Sequence, residues 1–170
     1  MKNIKGLSGK EMEMVSYLEL KEKFFFKRDD VRKFFKTDNE MNVYIHRLKS
    51  KGRIRKLNKS KYYLIPVRAY EGYWSENPFI IIDEIFNGKN YYIAELAAAF
   101  FWSLIEQIPT NVVVYCKNKQ GKMDIFNFTL IFKRKRTLGD FVEKRIKGHK
   151  VLVQSKESVK KWLKEYRRMN

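Results

Sequence analysis

The chain reads as an α+β protein, and three observations carry that reading. Residues 38–66, DNEMNVYIHRLKSKGRIRKLNKSKYYLIP, pass from an apolar repeat of helical period into two short alternating segments around a polar, cationic tip. Residues 78–170 alternate helical stretches with runs rich in Val, Ile and Phe, the composition of a mixed sheet packed by helices. Charge is unevenly distributed. Residues 1–68 hold 19 basic and 8 acidic side chains (net +11), residues 69–116 hold 1 and 6 (net −5), and residues 117–170 hold 17 and 5 (net +12). The expected organisation is a winged helix-turn-helix over residues 1–68, followed by a small mixed α/β domain over residues 69–170.

The first third parses element by element. Ser8 and Glu11 form the S-x-x-E capping box, in which each side chain satisfies an orphan donor at a helix start. The helix runs to about Leu20, with Met12, Val15, Leu18 and Met14 on its apolar side. Phe24, Phe25 and Phe26 follow as an extended bridge. A second helix over residues 28–35 buries Val31, Phe34 and Phe35. Thr37 and Asp38 make the turn, with Asp38 as the expected N-cap of a third helix.

In that third helix Met41, Ile45 and Leu48 recur at i, i+4 and i+7 and form one buried stripe. The opposite face carries Asn39, Asn42, Val43, His46, Arg47 and Ser50. Asn pairs bidentately with adenine and Arg with guanine, so these six are candidates for reading base edges. Gly52 supplies the left-handed residue that ends the helix. Residues 53–57 and 61–65 then alternate as paired strands around Asn58-Lys59-Ser60. Lys27, Arg28, Lys49, Lys51, Arg53, Arg55, Lys56, Lys59 and Lys61 are candidate phosphate contacts, which fix register without carrying sequence information.

Residues 67–77 form a connector that Tyr70, Tyr73 and Trp74 are expected to pack onto a domain. Asn77-Pro78 opens a helix that stops at Asn87-Gly88. The passage YYIAELAAAFFWSLIEQIP reads as a helix with a close-approach side at Ala97, Ala98 and Ala99, ended by Pro109. Residues 111–116 and 124–132 read as strands around a polar turn at Lys119-Gln120-Gly121, and Val151-Leu152-Val153 as a third. A basic helix over residues 157–168 closes the chain, with Ser155 as candidate cap. Lys133, Lys135, Lys160, Lys161, Lys164, Arg167 and Arg168 are candidates for a second basic surface.

Composition excludes several classes. The 170 residues are 44% hydrophobic and 15% aromatic, enough to fill a core despite 33% charged residues. A single cysteine, Cys116, forms no internal disulfide, which fits a reducing, cytoplasmic setting. The longest apolar run, residues 96–105, is far short of the ~20 residues a bilayer needs, and the first residues lack the apolar region of a signal peptide. With 37 basic against 19 acidic residues, the net charge of +18 points to a polyanionic partner. No phosphate-binding loop, nucleophile elbow or Cys/His cluster is present. Asp83 and Glu84 sit at adjacent helical positions, 100° apart, and read as surface residues. Cys116 and the distant His149 read as a core residue and a polar one. No catalytic, metal or cofactor site is expected.

The Lys51-Gly52-Arg53-Ile54-Arg55 run before Tyr62-Tyr63 resembles the AbiEi family, the antitoxin and regulator half of abortive-infection toxin–antitoxin systems. So does Tyr92-Ile93 with the Ala-rich helix and Leu104-Ile105-Glu106-Gln107-Ile108-Pro109, as does Val151-Leu152-Val153-Gln154-Ser155-Lys156-Glu157. Together these cover most of residues 8–160. The resemblance implies a repressor that binds double-stranded DNA at inverted repeats in its own promoter. It also implies a functional link to a nucleotidyltransferase-like toxin countered without a stable complex. The residues alone leave open an RNA-binding module and a protein-interaction adaptor presenting residues 69–116.

Overall fold

The computed structural model describes residues 6–69 and 76–169, and it is mixed α+β with two sheets. The chain divides into two compact units, Met1–Ser75 and Glu76–Asn170. Tyr70, Tyr73 and Trp74 of the connector lie outside the described residues.

The first unit runs α1 (Gly9–Leu20), β1 (Phe25–Lys27), α2 (Arg28–Val31), a single 3-10 turn (Arg32–Phe34), α3 (Asp38–Ser50), β2 (Ile54–Lys56) and β3 (Lys61–Leu64). The capping box forms at α1, where the Ser8 amide donates to Glu11 Oε2 at 2.6 Å. Met14, Val15 and Leu18 are fully buried, whereas Met12, expected on the apolar side, is 45% exposed. The buried place on that face is taken by Glu11, whose neutralising partner comes from elsewhere in the fold. The Phe24–26 bridge is more than a link. Phe25, Phe26 and Lys27 pair antiparallel with Tyr63, Tyr62 and Lys61, so the sheet has three strands in the order β1-β3-β2. Phe34 is only half-buried, because the helix tightens to a 3-10 turn before reaching it. Met41, Ile45 and Leu48 join Phe26, Val31, Phe35, Ile54 and Leu64 in one apolar core.

The second unit runs α4 (Pro78–Phe86), β4 (Tyr91–Ala94), α5 (Glu95–Phe101), β5 (Asn111–Cys116), β6 (Gly121–Ile125), β7 (Phe128–Arg134), β8 (Phe141–Ile146), β9 (His149–Gln154) and α6 (Lys156–Met169). Six strands form a sheet in the order β6-β7-β5-β4-β9-β8, with β4–β9 and β5–β7 parallel and the other pairs antiparallel. Helix α4 is apolar nearly all round and accordingly buried. Its ends match the sequence reading: the Phe79 amide donates to Asn77 Oδ1 at 2.9 Å, and Asn87 takes the left-handed conformation at φ 53°.

Three expectations fail here, one through strand pairing across a long sequence distance and two through two-residue hairpins. Residues 91–94 are a strand buried at every position, as suits the middle of a sheet, and the Ala-rich helix ends at Phe101 instead of running to Pro109. Residues 124–132 are two strands, turned at Phe126-Asn127 with Phe126 at φ 53°. Residues 141–146, assigned no element from sequence, form β8. A two-residue turn, Lys147-Gly148 with φ 47° and 84°, joins β8 to β9, the geometry that matches the twist of a hairpin. Ser155 caps α6 as expected, with Ser158 N donating to its Oγ at 3.2 Å. Among the described residues no helix is long and apolar enough to cross a membrane.

Candidate nucleic-acid interface

Two local devices hold α3 in place. Its N-cap is Thr37, whose hydroxyl accepts from Glu40 N at 3.1 Å. Asp38, the expected cap, is the first helical residue and pairs with Arg32 Nε at 2.8 Å. The shift follows from extended backbone at Thr37, which turns its hydroxyl toward the free amides. At the other end Gly52 takes φ 73°, Gly52 N donates to Lys49 O at 3.0 Å and Arg53 N to Leu48 O at 2.9 Å. This paired closure satisfies the last carbonyls and turns the chain into β2.

Between those ends the helix has two faces. Met41, Ile45 and Leu48 are buried, and Asn39, Asn42, Val43, His46, Arg47 and Ser50 are all exposed. Val43, at 47% exposure, is an apolar residue with no fold partner to bury it on this face. Tyr44 was missed from sequence. It is half-buried at the edge of the face, with the Arg47 guanidinium 5.3 Å and the Lys10 ammonium 5.7 Å from its ring centre. The signal was an aromatic one position beyond the polar face, within reach of an Arg three residues on.

The nine phosphate candidates separate into groups. Lys27, Lys49, Arg55, Lys56 and Lys59 are exposed and Lys61 is half-buried. Asn58 shapes the tip between β2 and β3: its Oδ1 accepts from Ser60 N at 3.0 Å and Lys61 N at 2.9 Å, which leaves Lys59 at the apex. The remaining three, Lys51, Arg53 and Arg28, are held more closely by the fold than the exposed set. Lys51 donates to Glu11 Oε2 at 2.6 Å and to Gly6 O at 2.9 Å. Burial pushes the Glu11 carboxyl up, but the bonds from Lys51 and Ser8 outweigh it and hold the group below the ordinary carboxylate range. Arg53 is only 8% exposed, and Arg28 keeps a buried Nε without a hydrogen-bond partner among the described residues.

In the second unit the basic candidates fall on different elements. Lys133 donates to Glu95 Oε1 at 2.6 Å, and Tyr115 OH donates to the same oxygen at 2.8 Å. Lys135 lies 3.8 Å from the Tyr115 ring centre. Burial, then the bond to Glu95, pushes the Tyr115 phenol well above its usual range. Lys160, Lys161, Lys164, Arg167 and Arg168 belong instead to α6, where all five are exposed while Val159 and Leu163 are buried.

One sequence reading is overturned. Asp83 is not a surface residue; it is 8% exposed on α4. Tyr91 OH donates to its Oδ1 at 3.1 Å, and His149 Nδ1 lies 3.3 Å from its Oδ2. Glu84, although 100° further round the helix, also reaches His149 Nδ1, at 3.4 Å. The longer Glu side chain closes the angular gap that helical spacing opens. Burial dominates the Asp83 environment and raises its carboxyl above the ordinary range, against the bonds from Tyr91 and His149. No family model matches the chain, and a search of curated proteins gives no match.

Proposed function

We propose that residues 6–69 form a winged helix-turn-helix that binds double-stranded DNA, with α3 in the major groove and the β2–β3 tip against the backbone. The observation that carries this reading is the division of α3. One side is wholly engaged in the core, while the other exposes Asn39, Asn42, Val43, His46, Arg47 and Ser50, side chains of the kind that read base edges. Support also comes from the element order α1-β1-α2-α3-β2-β3 with sheet order β1-β3-β2, the arrangement of a winged helix. Exposed Lys49 near the C-terminal end of that helix, Lys27 at the end of β1, and Arg55, Lys56 and Lys59 along the wing supply phosphate contacts.

The biological role in this reading is a cytoplasmic transcriptional repressor, the autoregulating antitoxin of a toxin–antitoxin operon. The resemblance of residues 51–63, 92–109 and 151–157 to AbiEi-type regulators supports that role, with a nucleotidyltransferase-like toxin as its functional counterpart. The direct test is a titration of the full chain with its own promoter duplex at several salt concentrations. For about 6 neutralised phosphates, log K falls with log salt at a slope near −5. A slope near zero removes the reading, and tighter binding to a matched RNA duplex replaces it with an RNA-binding role.

A further inference from the structure

Asp83, Glu84 and His149 form a cluster apart from the DNA-facing helix. Their ligand atoms all lie within 4.8 Å of one another, the imidazole Nδ1 being 3.3 Å from Asp83 Oδ2 and 3.4 Å from Glu84 Oε1. Glu84 and His149 are separated by 65 in sequence, and two tertiary features bring them together. Helix α4 packs on β9, and the tight Lys147-Gly148 turn fixes Ile146 opposite His149, which sets the histidine at the head of β9.

We propose that these three side chains bind a divalent transition-metal ion, with zinc(II) the best fit and water completing the coordination. Zinc bonds of about 2.0–2.2 Å to nitrogen and carboxylate oxygen place neighbouring ligand atoms of a tetrahedral ion roughly 3.4 Å apart. The two nitrogen-to-oxygen separations match that edge, and the two carboxylate oxygens, within 4.8 Å of each other, draw together on the ion as it enters. The donor set fits as well. Imidazole selects zinc-like ions over magnesium and calcium, and two carboxylates balance a dication where an imidazolium balances only one of them.

The surroundings add a third argument. Tyr91, itself fully buried, donates its hydroxyl to Asp83 Oδ1 at 3.1 Å and accepts from Leu152 N at 3.4 Å. That anchor leaves Oδ2 as the oxygen turned toward His149, the kind of outer partner that orients a metal-binding carboxylate. The Glu84 and His149 side chains keep 17% and 25% of their surface exposed, which gives an ion a route in and water a place in the remaining position. An ion here ties α4 to the β8–β9 hairpin, so the stability of residues 76–169 depends on metal.

The test is a titration of the full-length, metal-stripped protein with zinc chloride, followed by calorimetry and by NMR of the imidazole resonances. The chain has two histidines, so the expected result is distinctive: one equivalent of zinc binds, the His149 ring shifts and the His46 ring does not. Thermal unfolding of the second unit moves up with zinc and returns with chelator. Glu84→Gln and His149→Gln each weaken binding roughly tenfold or more, at least the loss seen for an outer-shell partner. Cys116→Ser leaves it unchanged. If the wild-type protein takes up no zinc, or zinc shifts the two imidazoles alike, the cluster is an ordinary hydrogen-bonded ion pair and the proposal fails. Because the imidazole readout is made on the wild-type chain, a variant that fails to fold does not blunt the test.

Discussion

Residues 1–68 and residues 117–170 carry almost the same surplus of positive charge, +11 and +12, and differ in where its exposed part lies: beside α3 and the β2–β3 hairpin in one, on α6 in the other. Along the β2–β3 hairpin of the first unit, Arg55, Lys56 and Lys59 stand exposed with no ion-pair partner among the described residues. Both units also engage part of their charge within the fold. In the first, Lys10 pairs with Glu40, Lys23 with Asp30, Arg32 with Asp38 and Lys51 with Glu11. The second does the same. Lys133 pairs with Glu95 and Lys150 with Glu143, while Lys119, Lys135 and Lys144 lie over the rings of Phe132, Tyr115 and Trp102. Net charge therefore does not locate an interface. In the proposed function the cations that matter are those left exposed beside the polar face of α3; cations already stacked or paired lose part of their attraction for a phosphate.

The largest test of this contrast is Leu48→Ala. Leu48 is fully buried on the inner side of α3, so its truncation costs about 2–5 kcal/mol. Residue-resolved hydrogen exchange is expected to show protection falling across α1, α3 and β3, and DNA binding weakening with it. Protection in β4, β5 and β9 stays as it was, since the first unit's core is drawn from residues 14–64. Equal loss in both units breaks the comparison, because it makes them one cooperative structure.

A smaller effect separates the helix from the wing. Asn42→Ala and Arg47→Ala each cost roughly 1–3 kcal/mol on the cognate duplex and relax preference at the base pair they face. Lys56→Ala and Lys59→Ala weaken all duplexes alike and shallow the salt slope by about 1 each. Binding titrations across single-base operator variants read the difference, and identical profiles for the two pairs remove α3 from the role of reading helix.

The smallest effect concerns α6. Its lysines at 160, 161 and 164 are exposed and are the second unit's best remaining candidates for an anion surface. Simultaneous replacement of the three by Glu leaves buried Val159 and Leu163 to hold the helix. If α6 extends the DNA footprint, affinity falls by about tenfold at low salt and the loss fades as salt screens it. Unchanged affinity and unchanged toxin neutralisation reduce these lysines to a solvated face.

Much of the first unit was legible because its signals are local. A capping box, an i, i+4, i+7 stripe and a glycine stop all lie within one or two helical turns, so they act before any distant partner arrives. The six exposed positions of α3 follow from the same geometry, as do the ends of α4 at Asn77 and Asn87. Their function does not: exposure is read from the period, base contact only from a complex.

What the tertiary structure alone decided are the pairings between distant residues. Phe25 became a strand because Tyr63 lies beside it, and Tyr91 to Ala94 because β5 and β9 flank them. The Phe126-Asn127 turn is local, but it has no glycine to announce it. Lys51, expected at a phosphate, is held by Glu11, which the fold buries beside it and which would be costly to leave unpaired there. Asp83, Glu84 and His149 met for the same kind of reason. Local periodicity fixes where a side chain points on its own element, but the charge, strand or ring that it meets is set by chain closure over tens of residues.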